Sequence, residues 1–374
     1  MAMQIVKRTL AGYKEYNVNT LLIEDVATKL DENITAVTNY VLNANSWNKE
    51  GVQMKFDAVV GNPPYQEMTG GYGTQAKPIY NLFINMSKSI DSKYISMITP
   101  SRWFSGGMGL NEFRKDMLND TCLTKIIDYP NTRDVFDSAD IAGGVNYFLW
   151  DKNNKAECEV TNVINNVKYS SSRNLNEFNT FVRFNQAIPI IRKVFNVQEN
   201  GKTLENVVSP QKPFGLPTNY KPKDKGVPCW FIQKIGKRYA DLKDIHDENK
   251  LLNKWKLLVP RSPIAGQTDF TKPVGFYYDG NTNIAKPGEC CTESFIVAGA
   301  FDTEEEVKNF KSYLFTKTVR FLLLQAVVSQ DVLRNKFCFV PDLGKYDRIY
   351  TDKYLCEKWN ITDDEWKYID SRIK

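Results

Sequence analysis

The sequence predicts an α/β domain followed by a second region of irregular α+β character. Three observations carry that reading. An apolar run, Ala58-Val59-Val60 after Asp57, ends in the stiff turn Gly61-Asn62-Pro63-Pro64-Tyr65. From residue 79 to 150, helically spaced apolar residues alternate with short apolar runs, the pattern of strands and helices in a layered sheet. Beyond about residue 160 that alternation gives way to short segments broken by proline and glycine. A chain of 374 residues suffices for two or three domains with a large core.

Ala58-Val59-Val60 reads as a fully buried strand of an α/β sheet. Each proline fixes its own φ and biases its predecessor towards extended geometry, so the loop after it is rigid. Val37 to Leu42 is a candidate for an earlier strand. After a glycine-rich stretch, Gly70-Gly71-Tyr72-Gly73, apolar residues at Ile79, Leu82, Phe83, Met86 and Ile90 predict a helix. A strand over Tyr94 to Ile98 follows, closed by Thr99-Pro100-Ser101-Arg102-Trp103-Phe104. A helix around Leu110 to Leu118, a strand Leu123 to Asp128 and an apolar strand Gly144 to Trp150 complete the series.

A loop at the carboxyl end of a strand is where open α/β sheets bind ligands. This one offers an amide side chain, free carbonyls and an aromatic face, which suits an exocyclic amino group. Such a nitrogen is a poor nucleophile because its lone pair is delocalised into the ring. The Asn62 side-chain oxygen and the Pro63 carbonyl can accept its hydrogens and favour a more pyramidal nitrogen. Tyr65 can stack on the ring, a contact worth about 1–3 kcal/mol per base. No base is required before attack, since the product ammonium is acidic, and the electrophile implied is a methyl sulfonium.

The Asn62-Pro63-Pro64-Tyr65 loop after a strand resembles the catalytic motif of amino-methyltransferases that use S-adenosylmethionine, above all the adenine-N6 DNA methyltransferases. Protein-glutamine and some RNA-guanine methyltransferases share the tetrapeptide. The succession from Ile79 to Trp150 resembles the second half of the gamma-class adenine enzymes, in a Rossmann-like sheet. That resemblance implies catalytic roles for Asn62, Pro63, Pro64 and Tyr65. It also implies cofactor contacts from Asn62, Pro64, Leu82 and Phe83. Phe136, in the loop Asp134-Val135-Phe136, would stack on the extruded adenine opposite Tyr65; core packing is the plainer alternative. Extrusion costs a few kcal/mol, which two aromatic faces would offset in large part.

Upstream the chain departs from this class. Residues 1–55 hold only Gly12 and Gly51 as glycines, so they contain no cofactor-binding glycine turn. The methyltransferase sheet is therefore expected to be incomplete at its N-terminal part, with the glycine loop on a missing region or a separate subunit. Asn45 stands where the family often has an acid that contacts the cofactor adenine. Glu24 and Asp25 can mimic the ribose-binding acid, although an exposed charge pair is the simpler reading.

The second half carries a local basic excess within a net charge of only +5. Lys212, Lys221, Lys223, Lys225, Lys234, Lys237, Arg238 and Arg261 interleave with Tyr220, Trp230 and Tyr239, a mixture that suits phosphate and base contacts or simply a solvated surface. The Lys212 to Asn219 block and the Thr316 to Phe321 helix resemble the target-recognition domain of type IIG-like restriction–modification enzymes. The expected division is 1–160 catalytic, 161–345 recognition of double-stranded DNA and 346–374 a docking helix, with a polar linker from Asn162 to Arg183. Thr362 and Glu365 form a capping-box pattern for that last helix.

Composition narrows the remaining classes. No apolar stretch approaches a membrane span, and the N-terminus lacks a signal-peptide core. Seven cysteines without Cys-x-x-Cys spacing indicate reduced thiols and a cytoplasmic chain. The single histidine, His246, excludes a His-based triad and disfavours zinc, so no metal is expected.

Overall fold

The computed structural model describes residues 19–374 apart from 68–76, 137–140, 142, 179, 199–200, 233, 265, 268–270, 277, 279 and 328–330. The Gly70 to Gly73 stretch lies outside the described residues. The chain divides into two compact units, 1–179 and 180–374.

In the first unit the described elements are α1 (Val26–Leu42), β1 (Ala58–Gly61), β2 (Gln66–Glu67), β3 (Lys77–Pro78), α2 (Tyr80–Ser89), β4 (Tyr94–Pro100), α3 (Asn111–Asn119), β5 (Leu123–Tyr129), β6 (Val145–Asp151), β7 (Cys158–Ile164) and β8 (Val167–Arg173). Six strands form one sheet in the order β1-β4-β6-β5-β7-β8. β1 pairs with β4 in parallel, β6 lies antiparallel between β4 and β5, and β7 runs parallel to β5. Hence β1, β4, β5 and β7 point one way, and the loops that follow them leave the sheet at one end. The core is aliphatic and aromatic, with Ile84, Ile95, Trp103, Met117, Ile126, Phe148 and Val160 inaccessible to solvent or nearly so.

Three expectations are corrected here. Val37 to Leu42 is not a strand but the last turns of α1, whose buried residues Leu30, Val37, Thr38 and Val41 follow helical spacing. β1 is not fully buried: among the described residues it is an edge strand paired only with β4, and Val60 is 77% exposed. The polar stretch from Asn162 is no linker. Asn165 and Asn166 adopt left-handed φ values of 50° and 65° and turn β7 into β8, two strands that extend the sheet to Arg173. A boundary at 160 would therefore cut β7, and the division falls at 179/180.

The second unit contains α4 (Ala187–Val197), β9 (Val227–Trp230), β10 (Lys237–Ala240), β11 (Trp255–Pro260), β12 (Asn283–Ala285), β13 (Cys290–Cys291), β14 (Phe295–Phe301), α5 (Glu304–Phe315), α6 (Lys317–Leu324), α7 (Asp352–Lys358) and α8 (Asp363–Arg372). Two three-stranded sheets, β10-β9-β13 and β12-β11-β14, share a core that includes Phe214, Leu216, Cys229, Phe231, Leu258 and Cys291. Gly215 takes φ +75° and a Cβ there would lie 2.8 Å from the His246 ring, so the lone histidine is a packing residue. The C-terminal segment is part of this unit, since Val274 N–H donates to the Arg372 carbonyl and Lys374 N–H to that of Val274.

α8 starts as the sequence predicts. The Thr362 hydroxyl accepts from Glu365 N–H, and the Glu365 carboxylate accepts from Thr362 N–H at 2.8 Å. Replacing Thr362 by alanine removes the first of these bonds and should destabilise the protein by about 1 kcal/mol, read as a lowered midpoint in urea unfolding.

Candidate active site

The site is assembled from the loops at the carboxyl end of β1, β4 and β5. At the first, Asn62 and Pro64 are exposed and Pro63 is buried. Among the described residues the Asn62 side chain and the Pro63 carbonyl have no hydrogen-bond partner, so both remain available as acceptors. Tyr65 is half-buried. Its hydroxyl is enclosed without a partner, and burial raises its pKa. The Tyr65 carbonyl accepts from Ile79 N–H at 3.2 Å, and β2 pairs with β3 just beyond. These bonds tie the loop to the start of α2.

α2 presents Leu82 and Phe83, both half-buried, as the helical spacing predicts. Leu82 lines a cavity of about 190 Å³ with Ile79, Glu67, Lys77 and residues of α1, including Asp31. Neither Asn45 nor Asn62 lines it. Asn45 lies in a 3₁₀ turn (Ala44–Trp47) that continues α1, and Trp47 of that turn packs on Phe56, ahead of β1. Its assignment assumed a preceding strand, so the basis for it is gone. Leu22, Glu24 and Tyr40 line a separate groove along α1.

The second loop, Ser101 to Phe104, is a buried 3₁₀ turn whose Trp103 ring meets Phe104 at 4.6 Å and Phe113 at 6.1 Å. The third carries Phe136. Asn131 caps a 3₁₀ turn there, Thr132 is buried with its hydroxyl on the Ile141 carbonyl at 2.9 Å, and Phe136 N–H closes onto the Thr132 carbonyl at the same distance. Phe136 itself is half exposed and makes no ring contact among the described residues, as a loop aromatic rather than a core one. Its neighbours Asp137, Ser138 and Asp140 lie outside the described residues.

A row of buried polar side chains underlies these loops. Thr99, Asn146, Asp128 and Asn162 are successive register partners across β4, β6, β5 and β7, and all are at most 1% exposed. The Asp128 carboxylate accepts from the Ser101 hydroxyl at 2.8 Å and from the Asn162 amide at 3.3 Å. The Asn146 amide donates to the Thr99 carbonyl at 3.3 Å and to the Ser101 hydroxyl at 3.4 Å. Gly144 locks the same region: a Cβ would sit 2.1 Å from the Tyr129 carbonyl, and Ser101 N–H donates to the Gly144 carbonyl at 2.9 Å. The sequence reading overlooked this set. Its signal was an acid, Asp128, directly after the apolar pair Ile126-Ile127 within a strand.

In the second unit the eight expected cations separate into two groups. Lys212 and Arg261 share Glu293 at 3.2 and 3.0 Å, with Asp331 also 3.5 Å from Arg261. Lys237 pairs with Glu289 over the Trp230 ring. Burial would raise the Glu289 pKa, but the Lys237 ammonium and the Trp230 N–H hold it below the ordinary value. Lys221, Lys223, Lys225, Lys234 and Arg238 are exposed. Among the described residues no group of three or more His, Cys, Asp or Glu side chains could hold a metal, and no helix is long and apolar enough to cross a membrane.

Part of the first unit is similar to known proteins. Residues 1–136 match the Eco57I restriction-modification methylase family. An uncharacterised adenine-specific methylase of Mycoplasma pneumoniae is 34% identical over 103 residues, which is 27% of this chain and 24% of that protein. The chain thus matches about a quarter of that relative's length. Among solved structures, the type IIG restriction endonuclease BpuSI aligns at 13% identity over 84% of this chain and 48% of its own, with a TM-score of 0.37. A modification subunit of a putative type I restriction enzyme from Vibrio vulnificus aligns at 16% identity over 29% of this chain and 25% of its own, with a TM-score of 0.23.

Asp128→Ala leaves the Ser101 hydroxyl and the Asn162 amide without this acceptor in a dry interior. It should cost about 3 kcal/mol of unfolding free energy, against about 1 for Ser101→Ala, both measured in urea.

Proposed function

We propose that this chain carries the catalytic loop of a site-specific DNA-adenine N6-methyltransferase of a restriction–modification system. The observation that supports this most is the rigid Asn62-Pro63-Pro64-Tyr65 loop, with two unpartnered acceptors, at the end of β1 inside the family-matched segment. The Asn62 side-chain oxygen and the Pro63 carbonyl would accept the two hydrogens of the adenine amino group. Holding both draws the lone pair out of conjugation and aims it. Tyr65 would stack on one face of the flipped base and Phe136 on the other, each excluding water from the nitrogen. The positive charge gained by the nitrogen is released as a proton to solvent, so no buried base is needed.

The donor implied is S-adenosylmethionine, whose sulfonium supplies an electrophilic methyl group. The residues present fit one wall of its site. Pro64, Leu82 and Phe83 would offer apolar contact and Asn62 a polar one, while the Asn81 side-chain oxygen at the head of α2 is buried without a partner. The opposite wall, with its glycine turn, is not in residues 1–55. It would come from a segment or subunit beyond these residues. The second unit would serve as the target-recognition domain on double-stranded DNA.

One observation favours a second reading, in which the chain recognises DNA but does not hold the cofactor alone. β1 has no neighbour on its outer side among the described residues, so the donor pocket is open there. Calorimetric titration with S-adenosylmethionine, with and without duplex DNA, separates the two. Micromolar binding together with transfer of labelled methyl to DNA supports the catalytic reading, and Asn62→Ala should then lower transfer by about 100-fold, the scale for losing one preorganised polar contact to the reacting centre. DNA affinity without donor binding supports the second.

A further inference from the structure

The basic residues of the second unit are not equivalent. Three of the eight are engaged with Glu293, Asp331 or Glu289, and their charge is largely neutralised within the fold. The other five lie on one continuous stretch, residues 221–238. Lys223 N–H donates to the Tyr239 carbonyl at 2.9 Å, which brings the segment with Lys221, Lys223 and Lys225 alongside the outer edge of β10. On its inner side β10 pairs antiparallel with β9, with Lys237 opposite Trp230 and Tyr239 opposite Pro228. The turn between the strands exposes Lys234 and Ile232, the latter 41% exposed, and is closed by Phe231 N–H on the Gly236 carbonyl at 3.0 Å.

Lys237, Arg238 and Tyr239 are all exposed, so this edge stands clear of the core that buries Cys229, Phe231 and Ala240. Among the described residues none of Lys221, Lys223, Lys225, Lys234 and Arg238 has a carboxylate in ion-pair contact. Of the acids close by, Asp224 lies between Lys223 and Lys225 in the chain and makes no ion pair among the described residues, and Asp241 is bonded to Lys243 at 3.3 Å. The result is a sheet edge, β10 with the 221–225 segment alongside it, cationic along its flank and apolar or aromatic at Ile232 and Tyr239. Lysine and arginine side chains without an ion pair, beside exposed apolar and aromatic ones, suit contacts to DNA phosphates and bases.

We propose that the hairpin of residues 221–242 is the element that grips duplex DNA, with Lys221, Lys223, Lys225 and Arg238 on phosphates and Ile232 and Tyr239 towards the groove. This rests on the reading of the second unit as DNA-recognising and narrows it to one sheet edge. Lys212, Lys237 and Arg261 then act through the fold rather than on DNA.

The test is fluorescence anisotropy of the full chain with a mixed-sequence 30-base-pair duplex across a salt series. The hairpin variant is Lys221→Gln, Lys223→Gln, Lys225→Gln. A charge-matched control replaces Lys308, Lys345 and Lys367, which are exposed and paired elsewhere in the unit. The hairpin variant should bind at least tenfold more weakly at low salt, with the slope of log affinity against log salt reduced by about 3, roughly one per lost phosphate contact. The control should keep its slope. Lys221→Arg, Lys223→Arg, Lys225→Arg should restore it, which a folding defect would not allow. If the parent binds duplex DNA and the hairpin variant binds identically, or if the control loses as much, the assignment to this edge falls while the DNA reading stands. If the parent binds no duplex DNA, both fall.

Discussion

The row of polar side chains across β4, β6, β5 and β7 is the constraint on which the first unit depends. A buried carboxylate is costly unless its oxygens are met, and Asp128 meets Ser101 and Asn162 while Asn146 bridges back to Thr99. Because these residues are register partners, the bonds fix the relative heights of the strands. They also fix where each strand ends. The turns that carry Trp103 and Phe136 therefore start from a rigid floor, with Gly144 admitting the close approach of the Tyr129 carbonyl. A base held between Tyr65 and Phe136, as proposed, would need such precision, since small displacements of a positioning group cost large factors in rate.

The loop after β1 is stiff for a different reason. Its rigidity comes from two prolines and from the bond between Ile79 and Tyr65, not from neighbours on the sheet. It stands at an edge of the sheet, with Asn62 exposed and Pro63 buried. This division of labour suits the chemistry proposed for it: the loop would supply shape and lone pairs, and the strands behind it the fixed frame. In the second unit, Glu289 and Glu293 neutralise Lys237, Lys212 and Arg261, while Lys221, Lys223, Lys225, Lys234 and Arg238 have no ion pair among the described residues.

Much of this was legible in the sequence where a local pattern is sufficient. The Asn-Pro-Pro-Tyr turn, the apolar runs of β4, β5 and β6, the spacing of α2 and the capping box at Thr362 all act through neighbours in the chain. What failed depends on distant partners. Val37 to Leu42 has β-branched residues but belongs to a longer helical stripe that begins at Leu30. Ala58-Val59-Val60 has the composition of a buried strand, yet burial requires a strand on each side, which sequence alone does not supply. β8 is polar on both faces because it is a sheet edge, so it shows no alternation; the Asn165-Asn166 pair was its one local mark. Which cations are free was illegible, since Glu293 is 81 residues from Lys212 in sequence and beside it in space.

The most direct test of the central claim is the chemical identity of the product. Unmethylated bacterial DNA incubated with this chain and S-adenosylmethionine, supplemented with a fragment carrying the glycine turn of a related methylase if the chain alone binds no donor, would be digested to nucleosides and weighed by mass spectrometry. The account predicts N6-methyldeoxyadenosine as the sole new nucleoside, absent with Asn62→Ala. N4-methyldeoxycytidine, or donor binding with no methylated nucleoside at all, would contradict it.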